Sequence, residues 1–142
     1  MKAELLVVEK EYEAPIEKVW RALTDKVKMR EWYFDVDDFK PEVGFEFRFS
    51  GQNEGRVFLH ICVVTEVVTG KKLTHSWRYE GYPGESHVTF EFIAEGHKSK
   101  VILTHKGLET FPQDNPDFSI KNFDFGWNHI LGIALPEYLD AV

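Results

Sequence analysis

His75 and Tyr79 stand four residues apart in a segment, Leu73 to Tyr79, that alternates in polarity. They therefore share a face with Leu73 and Trp77, while Thr74, Ser76 and Arg78 take the other. An imidazole and a phenol beside an indole, inside an apolar cavity, can orient the carbonyl or hydroxyl of a ligand, or serve as an acid/base pair in an aldol-type cyclisation. The plainer alternative is that each meets a backbone or water partner within a packed core. His60 and Cys62, two apart in a strand, project to one face as two soft metal ligands would. A structural site takes four ligands and a catalytic one three, and the remaining histidines are scattered singly, so no metal is expected. Asp35, Asp37 and Asp38 read as a solvated strand edge rather than a cation site. HExxH, CxxC, GxSxG, Walker A and dinucleotide-type glycine motifs are all absent, and no cofactor is expected.

The elements that position these residues follow from periodicity. Leu5 to Tyr12 reads as a strand that runs into Ala14-Pro15. Pro15 opens a helix whose stripe is Ile16, Val19, Trp20 and Leu23, and Thr24-Asp25 caps a second short helix that ends near Trp32. The period then drops to two. Short Val36–Phe39 and alternating Phe45–Phe49 are followed by a turn at Gly51–Gly55 and by Arg56–Val68, apolar on both faces as a covered or bulged strand would be. Strands around Trp77, Phe90 and Leu103 complete the meander, with His105 at the junction before the last helix. Helical spacing returns with Phe123, Trp127, Ile130, Leu131, Ala134 and Tyr138; Asn115 and Asn122 compete as its cap, and Pro136 predicts a kink or a frayed last turn. Trp32, Phe34 and Phe111 lie where exposed aromatics would guard an entrance.

The chain of 142 residues carries 17 Lys and Arg against 24 Asp and Glu, for a net charge of −7, with one cysteine and 15% aromatic residues. That length suits one domain, residues 1–142, able to build a full core. The acidic balance argues against nucleic acid as a partner, and Met1 to Val8 fits neither a signal peptide nor a membrane span, so a cytoplasmic location is expected. Six strands at about 4.8 Å spacing make a surface roughly 29 Å wide. A helix with its side chains is about 10–12 Å across. The sheet must therefore curl around the helix, and uncovered apolar area becomes a pocket or a docking surface.

The run Tyr12-Glu13-Ala14-Pro15-Ile16-Glu17-Lys18-Val19-Trp20-Arg21-Ala22-Leu23-Thr24-Asp25 resembles the opening of the START-like, helix-grip superfamily, in the branch similar to the C-terminal domain of the activator of the ninety-kilodalton heat-shock chaperone's ATPase. Gly55-Arg56-Val57, Lys72 to Trp77, Val88 to Phe92, Leu103 to Leu108 and Gly126-Trp127 resemble its later motifs in the same order. Pro136 and the Gly107–Pro116 loop, with Phe111 and Pro112, depart from it. The resemblance implies an α+β helix-grip fold: a curved antiparallel sheet of six or seven strands, two short helices after the first strand, and a long C-terminal helix over a hydrophobic cavity. In that superfamily the cavity binds lipids, sterols, polyketides or other apolar molecules, a minority of members are cyclases, and the chaperone activator uses surfaces of two domains. The reading is a non-catalytic binder of a small apolar or aromatic molecule at Trp32, Phe47, His75, Trp77, Tyr79, Phe90, Trp127 and Leu131. A chaperone-docking module and a polyketide cyclase or aromatase are its rivals.

Overall fold

The computed structural model of the protein describes residues 5–53 and 56–141. Strand β1 (Leu5–Tyr12) leads into helices α1 (Ile16–Thr24) and α2 (Lys26–Trp32). Strands β2 (Glu46–Asn53), β3 (Arg56–Val68), β4 (Lys72–Tyr79), β5 (Ser86–Glu95) and β6 (Lys98–Lys106) follow, and a long helix, α3 (120–141), ends the chain. The six strands form one antiparallel sheet in the order β1-β6-β5-β4-β3-β2, so β6 closes on β1 and every other neighbour is a sequential pair. This is the α+β helix-grip architecture: a curved sheet with α3 in its concave face and α1 and α2 at one end. No helix among the described residues is long and apolar enough to cross a membrane.

Alternation along each strand puts its large apolar residues on the concave side. Leu6, His105, Val88, His75 and Val64 succeed one another in a row across five strands, and Phe49, His60 and Tyr79 form another across three. The long strand β3 is bulged between Val64 and Glu66, where its register with β4 shifts. The bulge lets one strand serve a bent sheet.

The helices begin where their caps satisfy the first amides. Pro15 lies just before α1 rather than within it, and its carbonyl accepts from Lys18 N and Val19 N. Asp25 Oδ1 accepts from Val27 N at 2.9 Å, as expected of the cap of α2, and Trp32 Nε1 donates to Ala22 O at 2.8 Å, fastening the two helices together. Trp20 meets Phe92 of β5 edge-on at 4.9 Å.

Besides the place of Pro15, four expectations are corrected. Val36–Phe39 is not a strand: Asp37 makes its hydrogen bonds to the sheet, its N donating to Arg48 O and its Oδ1 accepting from Arg48 N. A carboxylate thus takes the place of a ladder bond. β2 runs on to Asn53, so the turn expected over Gly51–Gly55 is shorter, and its residues 54 and 55 lie outside the described residues. Neither Asn115 nor Asn122 caps the long helix. Asn115 caps a single 3-10 turn, Pro116–Phe118, and Ser119 Oγ then accepts from Asn122 N to start α3.

The fourth concerns Pro136, which does not fray the last turn: the helix runs on to Ala141, and the irregularity lies just before the proline as a change of helical register. Between Ile120–His129 and Leu135–Ala141 the turn Ile130–Ala134 is π-helical, and Leu135 N donates to Ile130 O five residues back. In that register the next donor would belong to residue 136, where proline has none, and its target would be Leu131 O. Tyr12 supplies the missing bond: its hydroxyl donates to Leu131 O at 2.7 Å within the core. Tyr12→Phe should cost about 1–2 kcal/mol, the penalty for a buried carbonyl without a donor. In a Pro136→Ala background, where the helix regains an amide, the same change should cost less. Urea midpoints of the four proteins of this cycle check the expectation, and equal costs in both backgrounds would refute it.

Candidate functional site

The concave face is not filled from end to end. At the end nearer the start of α3, a cleft of about 310 Å³ opens to solvent between sheet and helix. Its floor is β2 to β4, through Gly51, Phe58, His60, Trp77 and Tyr79. The 3-10 turn and the first half of α3 wall it with Asp117, Phe118, Asn122, Phe123, Gly126, Trp127 and Ile130, and Phe34 closes one side. Phe125, 76% exposed, stands at the rim. The turn that carries Phe118 is pinned to β3 by a bidentate ion pair, with Arg56 Nε donating to Asp117 Oδ2 at 2.8 Å and Nη2 to Oδ1 at 2.7 Å.

Two glycines shape this space. A Cβ at Gly51 would stand 2.9 Å from His60 Cε1, so the missing side chain gives the imidazole its seat. Gly126 differs. It sits inside the α-helix, and a Cβ there would meet nothing within 4 Å. Glycine costs about 1 kcal/mol relative to alanine inside a helix, and no neighbour requires it. What it preserves is the opening.

Behind the cleft a chain of hydrogen bonds fixes helix to sheet. Trp127 Nε1 donates to His105 Nδ1 at 3.1 Å, and the opposite ring nitrogen lies 2.8 Å from Ser86 Oγ, which donates to Trp77 O at 2.9 Å. Because Nδ1 accepts, the proton is assigned to Nε2, which donates to Ser86. His105 is fully buried, and burial lowers its pKa to about 3, so it is neutral and every member of the chain has a partner. His105 fixes the sheet-helix junction.

His60 and Tyr79 supply the polar groups of the cleft floor. His60 Nδ1 lies 3.1 Å from Phe58 O and therefore carries the proton, while burial lowers the pKa of the ring to about 4. The imidazole lies over Phe49 at 4.4 Å and against Trp77 and Tyr79 at 4.9 and 4.7 Å. Tyr79 Oη accepts from Trp77 Nε1 at 2.9 Å, and burial raises its pKa above the ordinary phenol value, so it keeps its proton.

A family model described as "Activator of Hsp90 ATPase homolog 1-like protein" matches residues 13–140. The chain belongs to this family. Among solved structures, the chain is similar to protein MLL2253 from Mesorhizobium loti, at 28% identity over 98% of each chain with a TM-score of 0.79. It is similar in fold to DynU16, a protein in the dynemicin biosynthetic locus, at 19% identity and a TM-score of 0.78, covering 96% of this chain and 47% of that one. A third likeness in fold is PFC0360w, an Hsp90 activator from Plasmodium falciparum, at 22% identity over 96% of each chain with a TM-score of 0.69. No curated protein matches the sequence.

In this member of the activator-homolog family, three residues expected at a site, Trp77, Tyr79 and Trp127, meet on the cleft wall. Trp32, Phe47, His75, Phe90 and Leu131 are buried in the core around it and do not line the cleft. His75 Nδ1 is 2.8 Å from Ser76 O, its ring packs edge-on to Phe47 at 5.1 Å, and burial lowers its pKa to about 4. It is His60, paired across strands with Tyr79, that joins the phenol in the cleft. Cys62 is fully buried, its thiol pKa raised by burial, and no group of three or more His, Cys, Asp or Glu among the described residues is placed to hold a metal. At the expected entrance only Phe34 lines the cleft. Trp32 and Phe111 are buried instead, Phe111 packing against Tyr79, Phe118 and Phe123. Phe58 and His60 share strand parity, so the sequence held a signal for both; Phe118, at the ambiguous start of the long helix, falls outside that helix's apolar stripe and gave none.

Proposed function

We propose that the protein is a non-catalytic binder of a small aromatic or apolar molecule of about two rings, held in the cleft between β2–β4 and α3. Residues 1–142 would act as one START-like binding domain in the cytoplasm. The observation that carries this reading is Gly126: a helix-interior glycine with open space before it, on the wall of an aromatic-lined cleft. A volume of about 310 Å³ is at the small end of ligand pockets and roughly twice the ~150 Å³ that admits benzene to an apolar core. Trp77, Trp127, Phe58 and Phe118 offer ring faces and edges, the contacts flat apolar ligands use.

Thermal unfolding with a panel of two-ring aromatic compounds tests the reading. At about 100 times its dissociation constant a ligand adds roughly 2.7 kcal/mol, which for a domain of this size raises Tm by about 8 °C. Gly126→Leu is the matching variant. The helix should gain about 1 kcal/mol from losing glycine, and the isobutyl group should fill the opening, so the apo protein becomes more stable while the ligand-induced shift disappears. If no compound shifts Tm, or if Gly126→Leu binds as the parent does, the cleft is not the site, and docking of a chaperone or other protein through the exposed surface becomes the better account.

A further inference from the structure

The cleft floor holds two polar atoms with unused hydrogen-bonding capacity, one of each kind. His60 Nδ1 is engaged with Phe58 O at 3.1 Å, which leaves Nε2 as the acceptor nitrogen; the Phe49 backbone also approaches the ring, but it is an acceptor and cannot donate to the lone pair of Nε2. Among those residues Ser99 Oγ is the single wholly buried side-chain N or O without a partner, so Nε2 must reach the open space that His60 lines. Tyr79 Oη already accepts from Trp77 Nε1, and its own hydrogen has no acceptor among the described residues. His60 and Tyr79 are only 7% and 5% exposed and are direct cross-strand partners. Buried phenols and imidazoles ordinarily spend these positions on a partner.

A donor and an acceptor on neighbouring rings, their centroids 4.7 Å apart, fit a group that is both acceptor and donor. The geometry points to a ligand bearing a neutral hydroxyl on its aromatic frame, which accepts from Tyr79 Oη and donates to His60 Nε2 while its rings lie among Trp77, Phe58 and Trp127. This assignment rests on the cleft being the binding site and names the chemical class that the site selects. Charge separates a phenol or aromatic alcohol from a carboxylate. Asp117 in the cleft is already paired with Arg56, and no Lys or Arg is among the described residues that line it, so an anionic head would lose its hydration without a cation to replace it.

Affinities of 2-naphthol, 2-methoxynaphthalene, naphthalene and 2-naphthoate for the unmodified protein at pH 7 test it by titration calorimetry. The expected order is naphthol first by tenfold or more over naphthalene, the methyl ether between them because it accepts but cannot donate, and naphthoate weaker than naphthol. Tyr79→Phe and His60→Phe retain a ring at each position; each should shrink the ratio of naphthol to naphthalene affinity, measured within the same variant, to about threefold. Equal binding of naphthol and naphthalene, or tightest binding of naphthoate, overturns the hydroxyl assignment but leaves the cleft as the binding site. Failure of all four to bind overturns both. The order among ligands is read on the parent protein, so it stands even where a variant folds poorly.

Discussion

Between pH 7 and pH 5 the protein is expected to lose about 6 kcal/mol of folding stability, and to unfold in mild acid. Three histidines, His60, His75 and His105, are buried, and burial lowers their pKa values from 6.5 to about 4, 4 and 3. With the folded-state value depressed, the neutral ring is the form the fold accepts. Above pH 6.5 both states are neutral and the stability is complete. As pH falls below 6.5 the unfolded chain takes up protons that the folded chain refuses until about pH 4, so stability drops throughout that window. At 1.36 kcal/mol per unit, each ring accounts for about 2 kcal/mol by pH 5. A typical domain has about 5–15 kcal/mol in all. Urea unfolding followed from pH 7.5 to 5 measures the effect through the midpoint at constant slope. A midpoint that stays level across this range would mean that the rings are protonated in the fold and that the bonding deduced for His105 is wrong.

The largest effect of a single substitution is expected at Trp127. Its ring stands 5.5 Å from Trp77 and 5.9 Å from Phe90, and its N–H is the bond that holds α3 to His105. Truncating a buried tryptophan costs about 3–5 kcal/mol through lost transfer energy and the cavity left behind, and stranding the His105 nitrogen adds about 1 kcal/mol or more. Trp127→Ala should therefore lose about 5 kcal/mol, enough to unfold much of the population at room temperature. Trp127→Phe separates the parts: it keeps most of the apolar volume and loses the donor, and should cost about 1–2 kcal/mol. Denaturant melts of both variants, together with the nitrogen-15 shifts of the His105 ring, decide the matter. Equal costs for the two would show that packing contributes nothing beyond the hydrogen bond.

How much of this was legible beforehand follows the physics of each element. The strands around Phe47, Trp77, Phe90 and Leu103 announced themselves because a sheet wetted on one face imposes a period of two, and their concave residues were read from parity alone. The cap of α2 was equally plain, since Asp25 needs only its own neighbours. The start of α3 was not: Asn115, Ser119 and Asn122 are all good caps, and the choice rests on the Arg56–Asp117 pair, 61 residues apart in sequence, that places the preceding turn. Val36–Phe39 has the composition of a strand, but the ladder bond there goes to a side chain. The site was legible as a face, not as a hole. Trp77 and His75 carry the same parity, and only the path of α3 decides that one borders open space and the other packs against Phe47.

The wide turn at Ile130–Ala134 also sets the angular phase of the last helix. One surplus residue in a helical turn rotates everything on one side of it by about 100° relative to the other. The first half, bearing Gly126 and Trp127, is thereby turned relative to the second, so that Trp127 reaches the core on its own bearing while Leu135 and Leu139 reach it on theirs. In effect the molecule has two anchored half-shafts set out of phase by a collar, and Tyr12 is the set screw.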